Sequence, residues 1–296
     1  MVEQVLAGRV ALVTGAARGM GAGVARGLAA HGARVALVGL EPEQLAEQAQ
    51  RCGNGSRAWT ADVTDQARMT EVANEVREQF GRIDVLVANA GVATGGTLRI
   101  ADPAAYDRVI EVNLLGSVRT ARAVLPHLIE SRGYYLQIAS AAALLPTAVM
   151  ASYAASKSGV EAFAHAVSGE VLHLGVDVGI GYLIWTDSDM TSGIGEHPAL
   201  KAAHDAMPWP VNRVYPAQPA IDALVDGVLR RKGHVMAPKW LWFTYWNRAA
   251  SALLAPRIAN RFARRAEAEY RRHPEQIGLV GAGGAADANR GASDDA

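Results

Sequence analysis

Tyr153 and Lys157 stand four apart in the stretch Ser152-Tyr153-Ala154-Ala155-Ser156-Lys157. On a helix that spacing puts both side chains on one face, one turn from each other. A free phenol, with a pKa of about 10, trades protons poorly near neutrality. A neighbouring ammonium favours the phenolate and lowers that value. The pair is therefore expected to be a proton-transfer unit, with Tyr153 as acid or base and Lys157 as its tuner. The same two residues also fit an ordinary amphipathic helix, so the reading turns on the elements upstream.

Those elements alternate. Arg9 to Thr14 is a short apolar run rich in β-branched residues, as a buried parallel strand requires. Gly15-Ala16-Ala17-Arg18-Gly19-Met20-Gly21 follows, and an amphipathic helix to about His31. Strand, glycine turn and helix suit a dinucleotide. Glycine lets the backbone approach a pyrophosphate, and the helix N-terminus offers free N–H groups and a positive dipole end. The glycine spacing here is three residues, then one, unlike Gly-x-Gly-x-x-Gly. Further strands are expected at 34–38, 57–61, 82–88, 134–139, 177–182 and 234–237, with helices between them. Asp65 is placed to cap the helix that runs to about Phe80. The pattern predicts an α/β fold, a Rossmann-like doubly wound parallel sheet of about seven strands with helices on both faces. Ligands bind at the carboxyl ends of such strands, where Gly15, Asp62, Asn89 and Ser140 all fall.

Two positions bear on which dinucleotide would bind. NAD-binding folds place an acidic residue at the end of the second strand to hold the ribose 2′-hydroxyl. Gly39 stands there, and Glu41 comes two residues late. Arg18 is placed either to meet a 2′-phosphate or to face solvent. NAD and NADP both remain open, and the balance of these residues favours NADP.

Composition sets the outer bounds. The chain has 296 residues, half of them hydrophobic and 20% charged, with a formal net charge of zero. A sizeable core is expected, and nucleic acid is not expected as a partner. The lone Cys52 excludes an internal disulfide and fits a reducing compartment. The start shows no basic segment before a long apolar run, and no apolar run reaches the roughly 18 residues of a membrane span. A cytoplasmic location is expected. The eight histidines show no close metal-ligand spacing, so no metal site is assigned.

In order along the chain, Thr14-Gly15-x-x-x-Gly19-Met20-Gly21, Asp62, Asn89-Ala90-Gly91, Asn113, Ser140, Tyr153 and Lys157 resemble the short-chain dehydrogenase/reductase family. The resemblance covers about Gly8 to Pro238. It implies that Tyr153 passes a proton to or from the substrate oxygen and Ser140 hydrogen-bonds that oxygen. Lys157 would hold the nicotinamide ribose, and Asn113 would support a proton relay through water. Gly15, Gly19 and Gly21, with Ala17 and Met20 between them, would surround the pyrophosphate. Asp62 beside Val63 would contact the adenine, and Asn89, Ala90 and Gly91 would shape the cofactor site. The family's usual Pro-Gly after the sixth strand is replaced by Leu183 and Ile184, while Ser188 aligns with the threonine that contacts the carboxamide.

The resemblance implies a catalytic domain over 1–238 with a substrate lid at about 191–219. Leu144, Leu145, Met150, Trp185, Met190 and Trp209 would face an apolar substrate by position. Beyond it, 239–277 is expected to be a helical extension. Residues 239–273 carry eight Lys/Arg against two Asp/Glu, with Trp240, Trp242, Phe243, Tyr245, Trp246, Phe262 and Tyr270. That pattern fits an anionic membrane surface. It equally fits a helix pair that packs on the domain, covers the substrate mouth or joins subunits. Residues 278–296, rich in Gly, Ala and Asp, are expected to be disordered. The expected activity is an NAD(P)-dependent exchange of alcohol and ketone or aldehyde, in a homodimer or homotetramer. A cofactor-binding regulator with little catalysis, and an epimerase or dehydratase on the same fold, are the alternatives.

Overall fold

The computed structural model describes residues 4–145, 148–188, 190–192, 198–272 and 278–294. Seven strands form one parallel sheet: β1 (Val10–Thr14), β2 (Arg34–Gly39), β3 (Arg57–Thr60), β4 (Val85–Ala88), β6 (Tyr134–Ile138), β7 (Asp177–Leu183) and β8 (His234–Ala237). Their order across the sheet is β3-β2-β1-β4-β6-β7-β8. The order reverses between β1 and β4, which opens a crevice at the carboxyl ends of those strands. All seven lie where the apolar runs predict them.

Both sheet faces are covered. Along β1, Val10 and Leu12 join one apolar layer, while Ala11 and Val13 join the other. This is the two-residue period of a strand buried on both sides. Helices α1 (Gly19–Ala30), α2 (Pro42–Cys52) and α8 (Ala217–Leu229) cover one face. Helices α3 (Gln66–Phe80), α5 (Gly116–Ser131) and α6 (Ala151–Val171) cover the other. Asp65 caps α3 by accepting from the Arg68 amide at 2.9 Å. Such a cap contributes about 1 kcal/mol. Helix α4 (Pro103–Ile110) runs into α5 through a π turn at Glu111–Leu115, which carries Asn113.

The remaining elements pack over the open edge of this sheet. Helix α7 (Pro198–Asp205) lies inside the expected lid, and Thr186 bridges to Tyr215. The extension forms α9 (Leu241–Trp246) and α10 (Arg248–Arg272). Ala266 and Tyr270 of α10 are buried with Val149, Ala203 and Met207, so the extension folds back onto α7 and the residues after it. Buried Glu161 accepts from Arg248 through both oxygens, at 3.0 and 2.9 Å.

The last segment corrects the expectation of disorder. Strand β9 (Leu279–Val280) pairs antiparallel with β5 (Ala93–Thr94), and α11 spans Gly281–Asp294. Composition misleads here because order comes from docking: the Thr94 hydroxyl donates to Gly278 O at 2.6 Å, and Val280 is buried. Among the described residues, no helix is long and apolar enough to cross a membrane.

Candidate active site

The glycine turn meets α1 at the carboxyl edge of the sheet. A Cβ on Gly21 would stand 2.2 Å from Gly15 O and 2.6 Å from Asn89 Nδ2, so only glycine fits. Gly15 and Gly19 have φ of +63° and +52°, in the left-handed region. Asn89 braces this loop, donating from Nδ2 to Thr14 O at 3.0 Å and to Gly15 O at 3.3 Å. Thr14 does not line the crevice. Its hydroxyl accepts from the Asn89 and Ala90 amides at 3.1 and 3.2 Å, which ties β1 to the loop after β4. Gly15, Ala17, Arg18, Gly19, Met20, Gly21 and Gly39 line one end of a single cavity, with Asp62, Val63, Asn89, Ala90 and Gly91.

At the other end of the same cavity stand Ser140, Tyr153 and Lys157. Strand β6 delivers Ser140, and the first two turns of α6 deliver the other two. The Ser140 hydroxyl accepts from the Ala142 amide at 3.1 Å and donates to Leu183 O at 3.4 Å, and its proximity to Tyr153 favours the phenolate. Lys157 is buried; its Nζ donates to Ile138 O at 3.1 Å and lies 5.7 Å from the Tyr153 ring centroid. Burial disfavours its charge and pulls the ammonium down to about 8. Burial also pushes the Tyr153 phenol up, against the opposing influence of the neighbouring Ser140 hydroxyl. This corrects the expected direction for the phenol. Desolvation, not a nearby cation, dominates the resting site.

Other expectations land differently. Asn113 is fully buried and outside the cavity: Oδ1 accepts from the Val92 amide at 2.8 Å, and Nδ2 donates to Val92 O and Ser156 Oγ, both at 3.0 Å. The side chain stands behind Gly91, where an added Cβ would come within 3.1 Å of Oδ1. These bonds brace the β4 loop against α6. Asp62 lines the cavity, but Oδ1 accepts from Thr64 and Oδ2 from Arg108 at 2.9 Å. Burial alone would raise this carboxyl; the Thr64 and Arg108 contacts outweigh it and hold the pKa low. Arg18 pairs with Glu41, which also lines the cavity, while its Nε is buried without a hydrogen-bond partner.

Met150, Trp185, Met190 and Ser188 line the cavity. Leu145 lines it too, but Leu144 does not and is buried in the core. Trp209 is 79% exposed and takes no part. The Phe262 side chain and residues 193–197 lie outside the described residues. The C-terminal segment, which carried no signal for the site in the sequence, adds Val280, Gly283, Gly284, Ala286 and Asp287 to the lining.

With a glycine turn and a Ser-Tyr-Lys group in one crevice, the comparison with known proteins is decisive. The model of the short chain dehydrogenase family matches residues 9–199. The chain belongs to that family. An uncharacterized oxidoreductase of Staphylococcus saprophyticus subsp. saprophyticus is 36% identical over 183 residues, 60% of this chain and 77% of the relative. The 3-oxoacyl-(acyl-carrier-protein) reductase of Escherichia coli K12 is 32% identical over 192 residues, 64% of this chain and 78% of that one. Among solved structures, a metagenomic short-chain oxidoreductase in complex with NADP is 36% identical, with a TM-score of 0.58, covering 60% of this chain and 83% of its own. The chain is thus an oxidoreductase of a family that acts on CH–OH groups and binds NAD(P).

Proposed function

We propose that the protein interconverts an apolar alcohol and the corresponding ketone or aldehyde, with Tyr153 as general acid and base. One observation carries this reading: Ser140, Tyr153 and Lys157 converge in the cavity that the glycine turn also lines. The bound nicotinamide supplies or accepts the hydride. Everything else falls to the protein. Reduction builds negative charge on the carbonyl oxygen, and two hydroxyl donors aimed there stabilise it. Ser140 holds the oxygen by a hydrogen bond. Tyr153, kept protonated at neutral pH by burial, gives up its proton. Lys157, still charged below about pH 8, stabilises the phenolate left behind.

The residues fit a dinucleotide. Gly15, Gly19 and Gly21 would surround its pyrophosphate, Lys157 its nicotinamide ribose, and Ser188 its carboxamide. The orphaned Arg18 Nε suits a 2′-phosphate, which favours NADP; the neighbouring Glu41 opposes it. Tyr153 packs with Met150, Trp185, Met190 and Val280 in an apolar cluster, which suits a lipophilic substrate. Subunits would associate through the faces of α5 and α6, where Leu115 is exposed at the π turn.

A contact with anionic lipid is the second reading of the extension, supported by Phe243, Trp246, Leu253 and Leu254, all more than half exposed. They stand in the segment with eight basic and two acidic residues. Co-sedimentation with phosphatidylglycerol vesicles should fall when Phe243 and Trp246 are both changed to serine; equal partitioning of the two proteins would remove this reading. For the enzyme itself, Tyr153→Phe should lower turnover of aldehydes and ketones by about 10²–10⁴. Its dinucleotide affinity should stay close to the parent's. Unchanged turnover would refute the role of the phenol.

A further inference from the structure

The C-terminal segment runs along the cavity from its substrate end to the end lined by Asp62. At the substrate end, β9 pairs with β5, and Val280 is buried with Ala93, Met150 and Leu200 beside Tyr153 and Trp185. At the other end, Asp287 is held by Arg108 on α4. Arg108 Nε donates to both Asp287 oxygens, at 3.1 and 2.9 Å, and Nη2 donates to Oδ1 at 2.7 Å. The same Nη2 donates to Asp62 Oδ2 at 2.9 Å. Nη1 donates to Thr64 Oγ1 at 3.2 Å and to Glu111 at 2.8 Å. The Arg108, Asp62 and Asp287 side chains are all at most 12% exposed. Between the two anchors, the first turns of α11 span about 10 Å. Gly283, Gly284 and Ala286 there form a small-residue wall of the cavity.

From this we infer that the segment 278–294 is a strap that closes the dinucleotide site, and that Arg108 is the positioning residue that latches it. The inference rests on the proposed cofactor site. Two independent attachments, one by strand pairing and one by a buried guanidinium fork, hold a wall that belongs to neither the sheet nor its flanking helices. Wide side chains would fill the cavity; the glycines and alanine leave it open. A planar guanidinium can grip Asp62 and Asp287 together, which a lysine cannot do with the same geometry. A ligand as long as a dinucleotide cannot enter or leave along this side unless the strap lifts. The strap therefore sets the residence time of the cofactor more than the chemical step.

The test uses the full chain and two variants, Asp287→Ala and Arg108→Lys. NADPH and NADH are the probes, followed by nicotinamide fluorescence in stopped flow. Amide exchange over residues 279–288 is read with and without dinucleotide. In the parent, binding should increase protection of those amides. Both variants should release dinucleotide about tenfold faster or more, with a smaller change in association rate. They should also lose the added protection. Equal release rates in all three proteins, or strap amides indifferent to dinucleotide, would overturn the proposal. Tighter binding by the variants would also overturn it, since the strap would then compete with the cofactor. If the parent binds neither dinucleotide, the cofactor site itself fails, and the strap reading falls with it.

Discussion

Lys157→Met offers a sharp physical test of the site. The ammonium is 4% exposed and its pKa stands at about 8, against 10.5 for an ordinary lysine. At about 1.4 kcal/mol per pH unit, that displacement corresponds to about 3 kcal/mol of burial cost. Below pH about 8 the lysine is protonated in both the folded and the unfolded chain, so the whole cost is carried. Between about 8 and 10.5 the unfolded chain binds more protons, and the stability owed to this group rises with pH. Above that window the cost is gone. Methionine fills a similar volume without charge, but it leaves Ile138 O without its donor, a loss of about 1 kcal/mol. Lys157→Met should therefore stabilise the unliganded protein by about 2 kcal/mol at pH 7. It should be neutral or slightly destabilising near pH 10.5, while turnover collapses at every pH. Urea unfolding of both proteins at the two pH values measures this. A variant equally destabilised at both would show that the ammonium is well solvated or well paired, and the tuning argument would fail.

Three further outcomes follow from the same structure. Carbonyl reduction should weaken above pH about 8 as Lys157 loses its proton, while alcohol oxidation, which needs the Tyr153 phenolate, should rise with pH; parallel initial-rate profiles in the two directions would contradict this. Glu41→Gln should free Arg18 for a 2′-phosphate and raise the preference for NADP over NAD about tenfold, measured as a ratio of kcat/KM values. Gly21→Ala should cost about 1–3 kcal/mol and abolish dinucleotide binding, because its Cβ would press on backbone oxygen that cannot turn aside. Calorimetric titration of an otherwise folded variant with normal affinity would refute the second half of that statement.

The sheet was legible because parallel strands buried on both faces are written as unbroken apolar runs, as in Val10–Thr14. The site was legible because its residues come from strand ends and from one helical turn, where spacing along the chain fixes spacing in space. Three things were not. Leu144 and Leu145 are equivalent by composition, and the turn after the short helix at Ala141–Ala143 decides which one meets the cavity. Asn113 reads equally as a structural and as a functional polar residue in an apolar run, and the partners it brings together, Val92 and Ser156, lie 21 and 43 positions away. The docked strap was invisible for the same reason carried further. Arg108 and Asp287 are 179 residues apart, and a Gly/Ala-rich tail carries no periodicity that would announce their meeting.

The central claim is that Tyr153 serves a reaction in which hydride passes between nicotinamide and a carbonyl carbon. Its most direct measurement is the fate of deuterium carried at the transferring position of reduced nicotinamide, with an aldehyde or ketone substrate in ordinary water. The account predicts deuterium on the carbinol carbon of the product, on a single face, and a loss of product formation in Tyr153→Phe while the reduced dinucleotide stays bound. Product free of label, or labelled product formed equally fast by Tyr153→Phe, would contradict it.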